Sequence, residues 1–428
     1  MKSIFLVLLM LLTGAVLVHA QTPTPSVTPT PAATPVGRQV TVSEAVSIFL
    51  QQNLQLVASR YDVDTAEAEK LTARLRPNPV VSIGNSGIPI LLNGPFLQQQ
   101  TFVYNISQDL ELGGKREKRI TAAEANAELA QAQFEVAVWQ MTNDVKRKFY
   151  TVLLNRSLLD LARENQKTFD EIVEHTRDVF KSGEISGLDL ERLEVERIKF
   201  DTDVANAERD YQLSLRDLRL AIGADYAAMA IDVSGSIEYY KEYDFTYGEL
   251  RDEALLARPD LKAAHVAERA ADANIILQDA QKVPNLTLSG GVNQVIAGGS
   301  NYNFGVGIAL PTSDRNQGER AKARIDKQRA LNQEQITTNQ ILSDVDKALI
   351  ALNIQKHRVD LYKSGVLTKV TNIQTATQEA LKAGENSTLD LLDAIRTRRE
   401  TLADFYQAIF DYQSALLDLE LATATPLP

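Results

Sequence analysis

The chain has 428 residues, 56 of them acidic and 45 basic, for a net charge of −11, and it contains no cysteine. The acidic balance argues against a nucleic-acid partner. Without cysteine there is no disulfide and no N-terminal cysteine to carry a lipid anchor.

Residues 1–20 read as a secretory signal. Lys2 supplies the positive start, Ile4–Leu17 the apolar core, and Val18-His19-Ala20 a small-residue cleavage site before Gln21. The apolar run is too short to span a bilayer comfortably, so the mature chain is expected to be exported. Residues 21–40, rich in Thr-Pro between Thr22 and Pro35, are expected to form a disordered, extended leader. Beyond them no run of about 18 apolar residues occurs. Insertion into a membrane therefore requires a β-barrel, the other fold that satisfies its backbone in lipid.

The chain then says the same thing twice. Lys181-Ser182-Gly183-Glu184-Ile185-Ser186-Gly187-Leu188-Asp189-Leu190 returns as Lys382-Ala383-Gly384-Glu385-Asn386-Ser387-Thr388-Leu389-Asp390-Leu391. A period of roughly 200 residues is too long for a solenoid unit and marks a duplicated half. The first repeat spans residues 41–223 and the second 248–422, with a connector at 224–247 and a tail at 423–428.

In the first repeat a helix is expected from Ser43 to Arg76, stopping before Pro77 and Pro79. Strands follow within 79–108, where Phe102, Tyr104 and Ile106 alternate with polar residues. A long helix is expected from Gly113 to Ser182. Its apolar positions Ala130, Phe134, Val138, Met141, Val145, Phe149 and Val152 form a coiled-coil-like seam. After the tip turn at 181–188 a last helix runs from Ser186 to Ile222. The second repeat follows the same order: helix Glu249–Lys282, strands within 285–310, helix Gln317–Lys382, tip turn at 382–389 and helix Ser387–Leu421. In its strands Leu286 and Leu288 point one way, and Tyr302, Phe304, Val306 and Ile308 alternate strictly with Asn and Gly. This is the dyad pattern of lipid-facing barrel strands; a soluble sheet with one buried face would read similarly.

Each long helix would reach about 105 Å at 1.5 Å per residue, and the two short helices of each half together match it. Each half is therefore expected to be a pair of tall antiparallel columns with strands at one end. Four strands cannot close a barrel, and open edges are not tolerated in lipid. Chains must associate, and the spacing alone leaves two copies or three.

Leu110-Glu111-Leu112-Gly113-Gly114-Lys115-Arg116, Pro311-Thr312-Ser313-Asp314-Arg315-Asn316-Gln317-Gly318 and the duplicated tip turns resemble the TolC family of outer-membrane efflux channels. The first two resemble its heavy-metal branch, which serves cobalt–zinc–cadmium or copper pumps. The resemblance implies a mainly α fold with membrane β: a homotrimer whose twelve-stranded β-barrel continues as a long periplasmic α-helical barrel. It implies a passive exit duct in an RND-type tripartite system, with the tips docked on a periplasmic adaptor and an inner-membrane pump. Residues 224–247 would lie in a girdle at mid-tunnel. Other readings are a TolC-like duct for drug efflux or type I protein secretion, and a periplasmic coiled-coil adaptor.

Asp390 and Asp393 lie three apart and share a helix face. They align with the aspartate pair that forms the selectivity ring of TolC-like channels, and Asp189 is the first-half counterpart of Asp390. The same residues fit capping: Ser186-x-x-Asp189 and Ser387-x-x-Asp390 both read as capping boxes, and Asp393 could pair with Arg396. Lys181, Gly183, Glu184, Lys382, Gly384 and Glu385 flank the tip turns, as adaptor contacts or as solvated hairpin residues. The family closes its tip with an arginine and a tyrosine, whose places are taken here by Asn386 and Leu381.

Neither catalysis nor a cofactor is expected. Gly113-Gly114-Lys115 lacks the rest of a phosphate loop and reads as a strand-to-helix turn. His19, His175, His265 and His357 are the only histidines, and His19, Met1 and Met10 leave with the signal, so no metal-ligand cluster forms.

Overall fold

A computed structural model of the chain describes residues 38–86, 100–182, 186–223, 231–237, 241, 243, 245–296, 298–383 and 385–426. The signal peptide and most of the leader lie outside them. The last three residues of the expected leader are ordered: β1 (Arg38–Val40) pairs in parallel with β4 (Ile231–Val233) of the connector.

The first repeat opens with α1 (Val42–Gln52) and α2 (Leu54–Arg74). Thr41 and Glu44 close a capping box at the start of α1. The single helix expected over Ser43–Arg76 is thus two, because Asn53 leaves helical geometry at φ −68°, ψ 117°. Its side-chain oxygen Oδ1 accepts from Leu56 N at 2.8 Å, capping α2. Its side-chain Nδ2 donates to Ala221 O at 2.8 Å. β2 (Val80–Ser86) and β3 (Thr101–Leu110) follow, then α3 (Lys115–Ser182), one uninterrupted helix of 68 residues, and α4 (Gly187–Ile222), which ends at Gly223.

The second repeat has α5 (Tyr247–Ala257) and α6 (Pro259–Gln281), again two helices where one was expected. Arg258 breaks it, since the residue before a proline disfavours the α region. β5 (Leu286–Val295) and β6 (Ser300–Ile308) lead to α7 (Gln317–Leu361), a π-turn (Tyr362–Val366), α8 (Leu367–Lys382) and α9 (Thr388–Thr423). The expected continuous helix Gln317–Lys382 is therefore interrupted, at Gly365, whose φ is +111°.

The strands form one antiparallel sheet in the order β2-β3-β5-β6. The helices repeat that order. α2 and α4 pack on one side of α3, α6 and α9 on its other side, and α7 packs beyond them on α6 and α9. The result is a one-layer wall of four columns continuing a four-stranded sheet. The main apolar core sits where α1, β1, β4 and α5 gather against the middle of α3, the C-terminal half of α7 and the ends of α4 and α9, around Phe49, Phe149, Leu218, Ile341 and Tyr412. Tyr412 O–H donates to Lys241 O at 2.5 Å, and Tyr211 O–H to Asp232 at 2.6 Å. Burial, then the bond to Asp232, pushes the Tyr211 hydroxyl pKa up. Both tyrosines tie connector segments to the columns.

Candidate functional site

Directly opposed residues of an antiparallel ladder point to the same face. β6 pairs Ile308 with Leu286, Val306 with Leu288, Phe304 with Gly290 and Tyr302 with Val292. β3 pairs Ile106 with Gly290, Tyr104 with Val292 and Phe102 with Gln294. Phe102, Tyr104, Ile106, Leu286, Leu288, Tyr302, Phe304, Val306 and Ile308 thus occupy one face. Val81 and Ile83 of β2 join it through Ile106 and Tyr104. The other face carries Asn105, Asp109, Thr287, Ser289, Asn293, Asn301 and Asn303; Asn303 donates to Asn293 at 3.0 Å. A soluble sheet buries its apolar face, but here Tyr302 and Phe304 are 78% and 88% exposed.

The strand-to-helix junction explains the Leu-Glu-Leu-Gly-Gly-Lys-Arg run. Gly113 and Gly114 have φ of +72° and +68°, so α3 starts at Lys115 and not at Gly113. A Cβ on Gly113 would also stand 2.9 Å from a Val283 methyl. Lys115 is buried and donates to Asn285 at 2.6 Å. Arg119 pairs with Glu111 at 2.5 Å and donates to the carbonyls of Ala73 and Leu75, while Arg116 donates to that of Arg74. Two guanidinium groups thereby satisfy the orphan carbonyls at the C-terminus of α2. In the second half Asn316, at φ +58°, donates to Gln278 O instead. These motifs are joints of the wall.

At the tip the two repeats differ. Ser387 and Asp390 close a capping box on α9, with Asp390 Oδ2 accepting from Ser387 Oγ at 2.7 Å and from its N at 3.1 Å. The side-chain bond first, and the backbone bond second, hold the Asp390 carboxyl below the usual aspartate range. The matching box at Ser186 does not form: Ser186 accepts from Leu188 N, and Asp189 pairs with Arg192 at 3.4 Å. Asp393 is exposed one turn beyond Asp390, and the expected partner Arg396 binds Glu400 at 3.3 Å instead. Lys181 pairs along its own helix with Asp178 at 2.9 Å. Glu385 and Asn386 are exposed, and Leu381 packs against the cluster of Phe169, Leu193 and Leu391. Gly183, Glu184, Gly384 and the Lys382 side chain lie outside the described residues. Among the described residues no group of three or more His, Cys, Asp or Glu could hold a metal ion.

The sequence profile of the outer membrane efflux protein family matches residues 45–224 and 250–425, one segment for each repeat. The chain belongs to this family. It is an outer-membrane efflux protein. The cobalt-zinc-cadmium resistance protein CzcC of Cupriavidus metallidurans is 25% identical over 359 residues, covering 84% of each chain. The outer membrane protein TolC of Vibrio cholerae is 22% identical over 324 residues, covering 72% of each. The crystal structure of the Campylobacter jejuni CmeC outer membrane channel superposes with a TM-score of 0.75 at 17% identity, over 89% of this chain and 85% of that one. The efflux protein thus shares the fold of a known channel. The family is one of channels rather than enzymes.

Three joints of this efflux protein, at Asn53, Arg258 and Gly365, escaped the sequence reading, and two of them left a signal. Arg258-Pro259 is a helix-breaking pair, and Ser364-Gly365 is a breaker inside a helical pattern. The β1–β4 pair left none, since three-residue strands carry no periodicity.

Proposed function

We propose that three copies of this chain close into a twelve-stranded barrel, continued by a helical tunnel, and serve as the exit duct of a tripartite pump for heavy-metal cations. The observation that carries the reading is the unfinished wall. β2 and β6 are raw sheet edges, and the outer columns end in uncovered apolar stripes: Leu188, Val195, Leu213 and Leu220 on α4, and Ile325, Ile336, Ile350, Ile354 and Leu361 on α7. Residues seven or eleven apart fall on one helix face, so these stripes suit a neighbouring copy. The apolar sheet face meets lipid and the Asn- and Ser-rich face the lumen.

In this reading Asp390 and Asp393, with Asp189 beside them, ring the periplasmic mouth and favour cations electrostatically. Lys181, Gly183, Glu184, Lys382, Gly384 and Glu385 meet an adaptor, an inner-membrane pump supplies the energy, and residues 224–247 form the mid-tunnel girdle. The duct itself performs no chemistry. The metal cargo rests on the likeness to the cobalt-zinc-cadmium resistance protein.

Growth of a deletion strain on Zn, Co, Cd, Cu and Ag salts beside hydrophobic drugs and detergents tests the cargo. Sensitivity confined to metals is the expected result. Sensitivity confined to drugs would leave the duct and remove the metal reading. Heat-resistant trimers in outer-membrane fractions test the assembly.

A further inference from the structure

We propose that the foot of β2 and β3 is a binding site for the phosphate of an anionic phospholipid in the periplasmic leaflet, held by Arg74, Arg76 and Arg116. The proposal rests on reading the apolar face of the sheet as the lipid-facing one.

The charge of the chain is unevenly spread. Residues 74–79, 111–122, 279–285 and 309–324, where sheet and columns join, carry eleven Lys and Arg against five Asp and Glu. The next stretch of each column, residues 65–73, 123–135, 265–278 and 325–335, carries four against nine. Strands β2, β3, β5 and β6 carry one charge, Asp109. A basic band thus separates a nearly uncharged sheet from acidic columns, at the level where headgroups lie if the sheet spans the membrane.

Geometry sorts the band by side. Lys115, Lys282 and Arg315 line one recess with Asp109 and Thr287, which belong to the polar face of the sheet. Arg119 is committed to Glu111. The end of α2 lies on the other side. Gln108 pairs with Leu288 on the apolar face, and its Nε2 donates to Pro77 O at 2.8 Å. Arg116 Nε donates to Arg74 O at 2.8 Å. These two bonds hold the segment from Arg74 to Pro77 at the foot of the apolar face, next to the exposed side chains of Val81, Ile106 and Leu110.

The three arginines there are not neutralised. Arg76 is exposed and, among the described residues, makes no hydrogen bond or ion pair. Arg116 spends only its Nε on Arg74 O, so both terminal nitrogens stay open. Arg74 has one carboxylate nearby, Glu124 at 3.6 Å, in an exposed pair that contributes little. Pro77 and Pro79 fix the backbone of the turn, so little ordering is lost when a ligand arrives. Guanidinium groups hold a phosphate through paired N–H donors, and the apolar face beside them takes the acyl chains.

The second repeat shows that the wall does not need these cations. The matching positions, 205 residues on, are Asp279, Gln281 and Ala321. There Asp279 pairs with Arg320, and the joint closes on itself. A surplus of cations present in one repeat and absent from the other, beside a lipid-facing surface, points to a ligand.

Native mass spectrometry of the full-length protein in dodecyl maltoside micelles tests the site, with dioleoyl phosphatidylglycerol, dioleoyl phosphatidylcholine or inorganic phosphate as the probe. The native protein is expected to prefer phosphatidylglycerol to phosphatidylcholine. Arg76→Gln with Arg116→Gln is expected to weaken phosphatidylglycerol binding about thirtyfold, from about 1 kcal/mol for each cation. Lys282→Gln with Arg315→Gln removes the same charge from the polar side and is expected to leave binding unchanged. Equal binding of the two lipids by the native protein overturns the proposal without recourse to any variant. So does an equal loss in both double variants, since net charge alone would then act. Displacement of phosphatidylglycerol by inorganic phosphate at equal concentration also overturns it, since the site would then take free phosphate. Outer-membrane fractionation tests the underlying reading separately. Protein missing from that fraction overturns the lipid-facing sheet, whereas protein present there without the lipid preference overturns the headgroup site alone.

Discussion

Arg258 stands in the second repeat where Asn53 stands in the first, and both bond the same carbonyl of the helix that ends beside them: Ala221 O for Asn53 at 2.8 Å, Ala422 O for Arg258 at 3.4 Å. Both leave helical geometry with nearly the same angles, φ −68°, ψ 117° and φ −65°, ψ 123°. The same joint, where a short column stacks on the next, is thus built once with a neutral amide and once with a buried cation. Arg258 is 6% exposed, pairs with Asp260 at 2.6 Å and Asp344 at 3.1 Å, and lies 5.0 Å from the centre of the Trp139 ring.

The two joints therefore fail differently. Asn53→Ala removes a cap and one hydrogen bond and is expected to cost about 1–2 kcal/mol. Arg258→Ala leaves two carboxylates facing a half-buried gap and is expected to cost about 2–4 kcal/mol. Arg258→Lys recovers only part, because an ammonium cannot serve Asp260 and Asp344 with a planar fork. Thermal unfolding of the purified protein orders the three variants; equal effects at both joints would contradict the argument.

The helix ends at these joints predict mutations of opposite sign. α4 ends on Gly223 at φ +72°, and α9 on Ala424 at φ +55°. A Cβ on Gly223 would stand 2.5 Å from Asn53 Cα. Gly223→Ala is therefore expected to lower the melting temperature. Ala424→Gly relieves a left-handed alanine and is expected to add about 0.5–1 kcal/mol. Melting curves of the two variants, compared directly, check the sign.

Face assignment in the sheet predicts position-dependent tolerance. Val306→Arg puts a cation on the apolar face and is expected to cost about 2–4 kcal/mol near mid-membrane. Asn303→Arg, three residues away and on the other face, is expected to insert normally. The yield of heat-resistant oligomer in outer-membrane fractions separates them.

Asp390 has two roles that can be taken apart. Asp390→Asn with Asp393→Asn keeps the cap geometry but removes charge, so cation preference in single-channel recordings is expected to fall. Ser387→Ala is expected to loosen the first turn of α9 by about 1 kcal/mol and leave the reversal potential where it was. An unshifted reversal potential in the double variant would sink the ring.

The cap also sets a pH dependence. The folded Asp390 carboxyl lies below its ordinary value of 3.8, so its contribution is complete above that value and is lost as pH falls through the lower folded one. Amide exchange at Asp390 and Leu391 is expected to be slow and flat between pH 5 and 7, after correction for intrinsic rates, and protection is expected to drop only below about pH 3.8. Loss of protection at pH 5 would show that the carboxylate bonds do not hold the turn.

Much of this protein was legible in one dimension. The duplication, the column lengths, the alternating strands and the tip turns are local or periodic, and local periodicity survives in sequence because each residue reports which side of its own element is apolar. The Tyr302-to-Ile308 alternation named its face before any pairing was known. What pairs with what was decided only in three dimensions. Asn53, Arg258 and Gly365 interrupt helices whose periodicity continues across them, so the pattern reads through the break while the backbone does not. The capping boxes at Ser186 and Ser387 look alike as strings; only the second closes, because Asp189 turns to Arg192 three residues on, whereas Asp390 has Asp393 at that place and turns to the cap. Sequence determined an elongated, duplicated, strand-tipped helical wall. Tertiary structure decided how that wall is held together, because that outcome turns on single hydrogen bonds and contacts between residues some 160–230 apart, for which a linear pattern has no signal.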